Sequence, residues 1–183
     1  LNKEERIKVL QDIIKIKSIN DNESEVADYL ADLFQKHGIE SEKVKYSEGR
    51  ESLVATYKKG DGKVLGISDH EDVVAAGDES EWKYPPFSAE IDGDKLYGRG
   101  STDMKSGLAA LAISMIETKE ENADINGTLK FMATVGEEVG ELGSEQLTKE
   151  GYADDLDGLI IGELTGPALI YTHNPTCSPL YKR

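Results

Sequence analysis

The chain has 183 residues, 38% hydrophobic and 31% charged, with a net charge of -15 and a mean hydropathy of -0.49. That length suits one domain or part of a larger one, and no apolar run nears the roughly 20 residues of a membrane span. The acidic balance argues against a phosphate-backbone partner, so neither nucleic acid nor membrane is expected, and the single Cys177, with no apolar stretch behind the charged N-terminus, points to the cytoplasm.

Residues 3–17 read as an amphipathic helix, with Ile7, Leu10, Ile13, Ile14 and Ile16 near helical spacing. A second helix runs from Glu23 to Lys36, with Asp21 or Asn22 as its N-cap, His37 at its cation-favouring C-terminus and Gly38 as its stop. Strands follow near 41–46 and 53–58, and the turn Lys59–Gly62 leads into an apolar run that ends in Asp69-His70-Glu71-Asp72. A loop carrying Gly77, Asp78, Trp82, Pro85 and Pro86 occupies 75–86, and two short strands flank the Asp92-Gly93 turn.

The block Gly98-Arg99-Gly100-Ser101-Thr102-Asp103-Met104-Lys105 opens a helix to about Thr118 that is apolar over most of its circumference, which predicts burial against a sheet. A strand over 128–135 ends in Gly136-Glu137-Glu138, a short helix covers 143–150, and Leu159-Ile160-Ile161 forms a strand ending in Gly162-Glu163. Strands alternating with helices indicate an α/β fold around a largely parallel, mixed sheet, in which sites gather beyond the carboxyl ends of the strands.

Candidate functional residues stand at those ends. In an extended chain His70 and Asp72 project to one side, with Asp69 and Glu71 on the other, and a carboxylate beside an imidazole fixes which ring nitrogen is free to bind a metal. Glu137-Glu138 and Glu163 follow two further strands, and Asp103 opens a helix. Taken singly, Asp103 reads more readily as a helix cap, and the glutamate pair equally as a solvated turn. Together they meet the needs of a two-metal hydrolytic centre: a bridging carboxylate, further N and O ligands, and a separate carboxylate to take a proton from water. Asp103, short and at a helix start, is the candidate bridge.

The chain resembles the zinc-dependent M20 metallopeptidase and deacylase family, which includes desuccinylases, deacetylases, aminoacylases and dipeptidases. The likeness rests on His70-Glu71-Asp72-Val73-Val74, on Trp82 with Pro85-Pro86-Phe87, on Asp94 to Lys105 with its Gly-Arg-Gly-x-x-Asp-Met-Lys pattern, on Gly136-Glu137-Glu138 and on Gly162-Glu163. It implies a three-layer zinc-exopeptidase-like fold holding two Zn2+, with Co2+ as a substitute. His70 and Glu163 would hold one ion, Glu138 the other, and Asp103 would bridge them. Glu137 would be the general base, with Asp72 orienting His70. The implied reaction is hydrolysis of an amide in an N-acyl amino acid or dipeptide, with N-succinyl-diaminopimelate the first candidate. In some members the peptide after the bridging aspartate is cis.

Members are about twice as long, so residues 1–183 are expected to be the N-terminal part of the catalytic domain. The lid and dimerisation domain and the returning segment, with its second histidine ligand, would be absent, leaving a truncated chain whose full-length parent is a homodimer. His173 reads as part of a following strand, not as a replacement ligand. Three positions depart from the usual pattern: Asp69 replaces Gly, Glu71 an apolar residue and Leu164 a Pro. Asp69 and Glu71 are expected to be buried, either unpaired at a cost of several kcal/mol or protonated with raised pKa values.

Overall fold

The computed structural model describes residues 1–164. Helix α1 (Lys3–Lys15) starts with a reciprocal cap: the Asn2 side chain accepts the Glu5 N–H at 2.9 Å, and the Glu5 carboxylate accepts the Asn2 N–H at 2.7 Å. Helix α2 (Ser24–Lys36) ends as expected, with Gly38 at φ +68 and His37 Nδ1 2.6 Å from Glu120 Oε1. Its start differs from expectation. Glu23 precedes the helix and makes no side-chain cap, because both its carboxylate oxygens and that of Asp21 are taken by Arg50.

Strands β1 (Glu40–Ser47), β2 (Arg50–Lys59) and β3 (Lys63–His70) come next, then the small hairpin β4 (Glu90–Asp92) and β5 (Lys95–Tyr97). Helix α3 (Lys105–Glu120), strand β6 (Gly127–Thr134), helix α4 (Leu142–Lys149) and strand β7 (Gly158–Ile161) complete the described order. The main sheet runs β1-β2-β6-β3-β7. It is mixed: β1–β2 and β2–β6 pair antiparallel, while β6–β3 and β3–β7 pair parallel, so the parallel part is the three strands whose ends carry the candidate residues.

Helices α1, α2 and α3 cover one face, packing Ile13, Leu30, Phe34, Leu108 and Ile116 onto Leu53, Ile67 and Phe131. Phe34 and Phe131 meet edge to face at 5.1 Å. On the other face Leu147 of α4 joins Val44, Val54 and Met132 in a smaller core. Helix α3 is buried along Leu108, Ala109, Ala112, Met115 and Ile116, packed against the sheet as its composition predicts, with Ala110 and Ser114 exposed and Leu111 half-buried on its outer side. Among the described residues no helix is long and apolar enough to cross a membrane. His173 and Cys177 lie outside the described residues.

Candidate active site

Strand β3 lies inside the sheet between β6 and β7, and everything from Gly66 to Val73 is buried. His70 is its last residue, held in the ladder opposite Thr134 of β6. Its Nδ1 lies 3.0 Å from the Asp72 main-chain oxygen and 3.4 Å from the Asp72 carboxylate. In the neutral ring these acceptors place the proton on Nδ1 and leave the Nε2 lone pair facing the acids. The fixing contact is thus chiefly the Asp72 carbonyl. The carboxylate is engaged elsewhere, accepting the N–H of Glu137 at 3.0 Å and of Glu138 at 3.1 Å.

Four acids from three segments gather around His70. Asp103 Oδ1 lies 3.5 Å from its Nε2, Glu163 Oε2 3.6 Å and Glu137 Oε2 3.7 Å. Glu138 joins through a cluster in which ligand atoms of His70, Asp103 and Glu138 all lie within 4.8 Å of one another. Each arrives by a different local device. Glu137 and Glu138 occupy a single 3-10 turn entered through Gly136 at φ +67, a conformation glycine adopts without steric cost. Glu163 follows β7 and accepts the Leu164 N–H at 2.8 Å. Asp103 precedes α3 across a cis Asp103–Met104 peptide and makes no capping bond to the helix, whose first flanking residue is Met104. The helix-cap reading of Asp103 therefore does not hold, and the turn carrying the glutamates points its acids at the histidine.

This ring of carboxylates is short of positive charge. Burial would lower the His70 pKa, but the bond to Asp72 and the charges of Asp72, Asp69 and Glu137 outweigh it and raise it to about 10. Burial also raises Glu137 and Glu138, reinforced by neighbouring carboxylates, whereas Asp72 is held below its ordinary value because His70 and the two N–H donors outweigh its burial. His70 Nε2 is buried with no hydrogen-bond partner among the described residues. One imidazole nitrogen and several carboxylate oxygens at this spacing form a donor set that fits a divalent metal such as zinc. Beside it opens a cleft lined by Ser101, Thr102, Ser106, Gly162, Glu163 and Leu164.

The two unusual acids of the β3 end are buried, as expected. Asp69 is 3% exposed; one oxygen accepts the His70 N–H at 3.0 Å and the other has no hydrogen-bond partner among the described residues. It fits because residues 107 and 162 are glycines: a Cβ at either would stand 2.8 or 2.5 Å from Asp69 Oδ2. Glu71 is wholly buried, and neither carboxylate oxygen has a hydrogen-bond partner among the described residues. Burial pushes Asp69 up to about 8 and Glu71 well above its ordinary value.

Two functional-looking groups escape a reading of the sequence. Lys105, the last letter of the Gly-Arg-Gly-x-x-Asp-Met-Lys block, is wholly buried and donates to the Ile13 and Ile16 carbonyls at the end of α1, at 2.7 and 2.8 Å. Burial lowers its pKa to about 7 against the opposing charges of Glu71 and Asp72. Arg50 is buried against Glu23. A lone Arg at a strand start carries no pattern that distinguishes it from a solvated one.

Comparison with known proteins gives the family and the fold. The model of peptidase family M20/M25/M40 matches residues 66–174. A probable succinyl-diaminopimelate desuccinylase of Staphylococcus epidermidis is 47% identical over 178 residues, covering 97% of this chain and 44% of that protein. The chain thus spans less than half the length of the curated relatives it matches. Among solved structures, an M20 family metallo-carboxypeptidase of Sulfolobus solfataricus superposes with a TM-score of 0.77 at 27% identity, over 88% of this chain and 37% of that one. A dinuclear metal-binding peptidase of the same family from Bacillus subtilis shares the fold, with a TM-score of 0.66 at 18% identity over 86% of this chain and 42% of that one.

Proposed function

This chain belongs to peptidase family M20/M25/M40, and from that premise we propose that it carries the metal-ligating and proton-transferring residues of an amidohydrolase, with an N-succinylated diamino acid such as N-succinyl-diaminopimelate as substrate. The observation that carries this reading is the convergence of Asp103, Glu137 and Glu163 within 3.5–3.7 Å of one buried imidazole nitrogen. The substrate rests on the name of the Staphylococcus epidermidis relative.

His70 and Glu163 would hold one Zn2+ and Glu138 a second, with Asp103 between them; Co2+ is the alternative occupant, and the dinuclear Bacillus subtilis relative supports the pair. Bound there, such ions supply Lewis-acid polarisation of a carbonyl and lower the pKa of water. The rest is the work of side chains. Glu137, at the rim with its raised pKa, would take a proton from the attacking water and return it to the leaving amine. Asp72 would keep the His70 tautomer and the glutamate turn in place, and the Ser101, Thr102 and Ser106 hydroxyls line a cleft able to hydrogen-bond a substrate carboxylate. We place the protein in the cytoplasm, acting on a small molecule, with the parent a homodimer.

Cleavage of a peptide bond, with a dipeptide as the small substrate, is the second reading, favoured by the likeness to a protein named a metallo-carboxypeptidase. The test is metal content together with release of succinate from N-succinyl-diaminopimelate by the purified chain reconstituted with Zn2+ or Co2+. Two ions per chain with succinate release supports the proposal, and turnover of dipeptides alone supports the second reading. Metal bound without turnover of either marks a metal-binding but incompetent chain, and failure to bind metal overturns the assignment.

A further inference from the structure

The turn that presents Glu137 and Glu138 rests on a buried ion pair that no metal or substrate role explains. Arg50 donates from Nε to Glu23 Oε2 at 3.0 Å and from Nη2 to Glu23 Oε1 at 2.6 Å, a two-point pairing, and from Nη1 to Asp21 Oδ1 at 2.7 Å. Glu23 is wholly buried and Arg50 is 5% exposed. The β2–β6 ladder pairs Leu53 with Ala133, and Arg50, at the start of β2, lies beside the chain just past the end of β6 at Gly136. There the guanidinium lies so close that a Cβ on Gly136 would stand 2.6 Å from Nη2. From Gly136 the chain steps directly to the two N–H groups that Asp72 accepts.

A buried ion pair is weak evidence for stability, because desolvating two charges offsets most of their attraction and an apolar pair of the same volume often does as well. Glu23 even gives up the capping of α2 to serve Arg50. What the pair does supply is a fixed, planar fork under one specific backbone point. We propose that Arg50 and Glu23 are positioning residues: the guanidinium, clamped by Glu23, forms the floor against which Gly136 is seated, and so sets where Glu137 and Glu138 stand relative to Asp72 and His70. The consequence for chemistry rests on the reading of Glu137 as base and Glu138 as ligand; the seating of the turn does not.

The test compares Arg50→Met, which keeps the stem and loses the fork, with the double variant Glu23→Met/Arg50→Met, which removes both buried charges. Amide hydrogen exchange gives a readout independent of metal. Exchange at the Glu137 and Glu138 N–H groups should rise tenfold or more in both variants, while Phe131 and Met132 in the middle of β6 stay within twofold of the parent. Co2+ affinity, followed by its visible absorption, should fall about tenfold in the same proteins. Arg50→Lys, which keeps charge but not the fork, should show the same local loosening and supplies that arm if an apolar variant does not fold. Unchanged exchange at Glu137 and Glu138, or an equal rise at Phe131 and Met132, overturns the proposal by making the pair either idle or merely stabilising. If the parent binds no Co2+, the metal reading fails, and the exchange data alone decide the positioning role.

Discussion

Asp72 receives the main-chain N–H of Glu137 on one carboxylate oxygen at 3.0 Å, and that of Glu138 on the other at 3.1 Å. Its own carbonyl meanwhile stands 3.0 Å from His70 Nδ1. One buried residue thus ties the end of β3 to the turn after β6. Asp72→Asn keeps the shape but offers a single acceptor oxygen and turns an NH2 toward the other N–H. Zinc affinity, measured by competition with a chromophoric chelator, should fall about 10- to 100-fold, as for other groups that orient a metal ligand. An unchanged affinity would show that the metal site does not depend on this carboxylate's hold on the glutamate turn.

Glu71→Met should stabilise the metal-free protein. The carboxylate is wholly buried with both oxygens unpartnered, and an unsatisfied buried group costs about 1–3 kcal/mol. Methionine is of similar length and adapts to an irregular space. Lys105 loses an opposing charge but keeps its bonds to the Ile13 and Ile16 carbonyls. A gain of about 1–2 kcal/mol in urea unfolding at neutral pH is expected; a loss would mean that the Glu71 charge is what holds Lys105.

Asp69 makes the same point through pH. Its folded pKa of about 8 lies above the ordinary 3.8, so between those values the folded state keeps a proton that the unfolded state releases. Stability therefore falls as pH rises through that window, by up to about 1.4 kcal/mol per pH unit for one such group. Between pH 5 and 6.5 Glu71, also raised by burial, adds a slope of the same sign, so the Asp69 contribution is read from the difference between parent and variant. Above that range His70, raised to about 10, adds a further loss, and Lys105, lowered to about 7, works in the opposite sense. Asp69→Gly should flatten the metal-free stability profile over that range by about one proton's slope and be the more stable protein at its upper end. A parallel, unshifted profile would show that Asp69 is ionised in the fold.

Much of this architecture is legible in the chain because it is written in period and punctuation. The apolar runs before His70, Gly136 and Gly162 are strands, and their ends bear the acids that meet. Sequence spacing also places Asp69 and Glu71 in the interior, where burial follows from β3 lying between β6 and β7. What is not legible is anything decided by a single long side chain reaching across the fold. Glu23 serves Arg50 instead of capping α2, and Lys105 ends among the carbonyls of α1; neither has a periodic signature. The carbonyl of Asp72, not its carboxylate, makes the closer contact to His70, and a residue-level reading cannot separate the two.

The adjacent glutamates should separate by function when changed one at a time. Glu138 belongs to the cluster in which His70 and Asp103 also offer ligand atoms within 4.8 Å. Glu137 stands outside that cluster, with its side chain 41% exposed and its Oε2 3.7 Å from His70 Nε2, where it faces both solvent and the centre. Burial and the neighbouring carboxylates raise its pKa, which brings a carboxylate nearer to the value a base needs at neutral pH. Glu137→Ala should therefore retain its metal while losing about 10²- to 10⁴-fold in turnover, the usual contribution of a positioned base. Glu138→Ala should lose metal first and activity with it. Metal content by atomic emission, read beside succinate release, distinguishes the two. Loss of metal from Glu137→Ala with retention in Glu138→Ala would reverse the assignment of base and ligand.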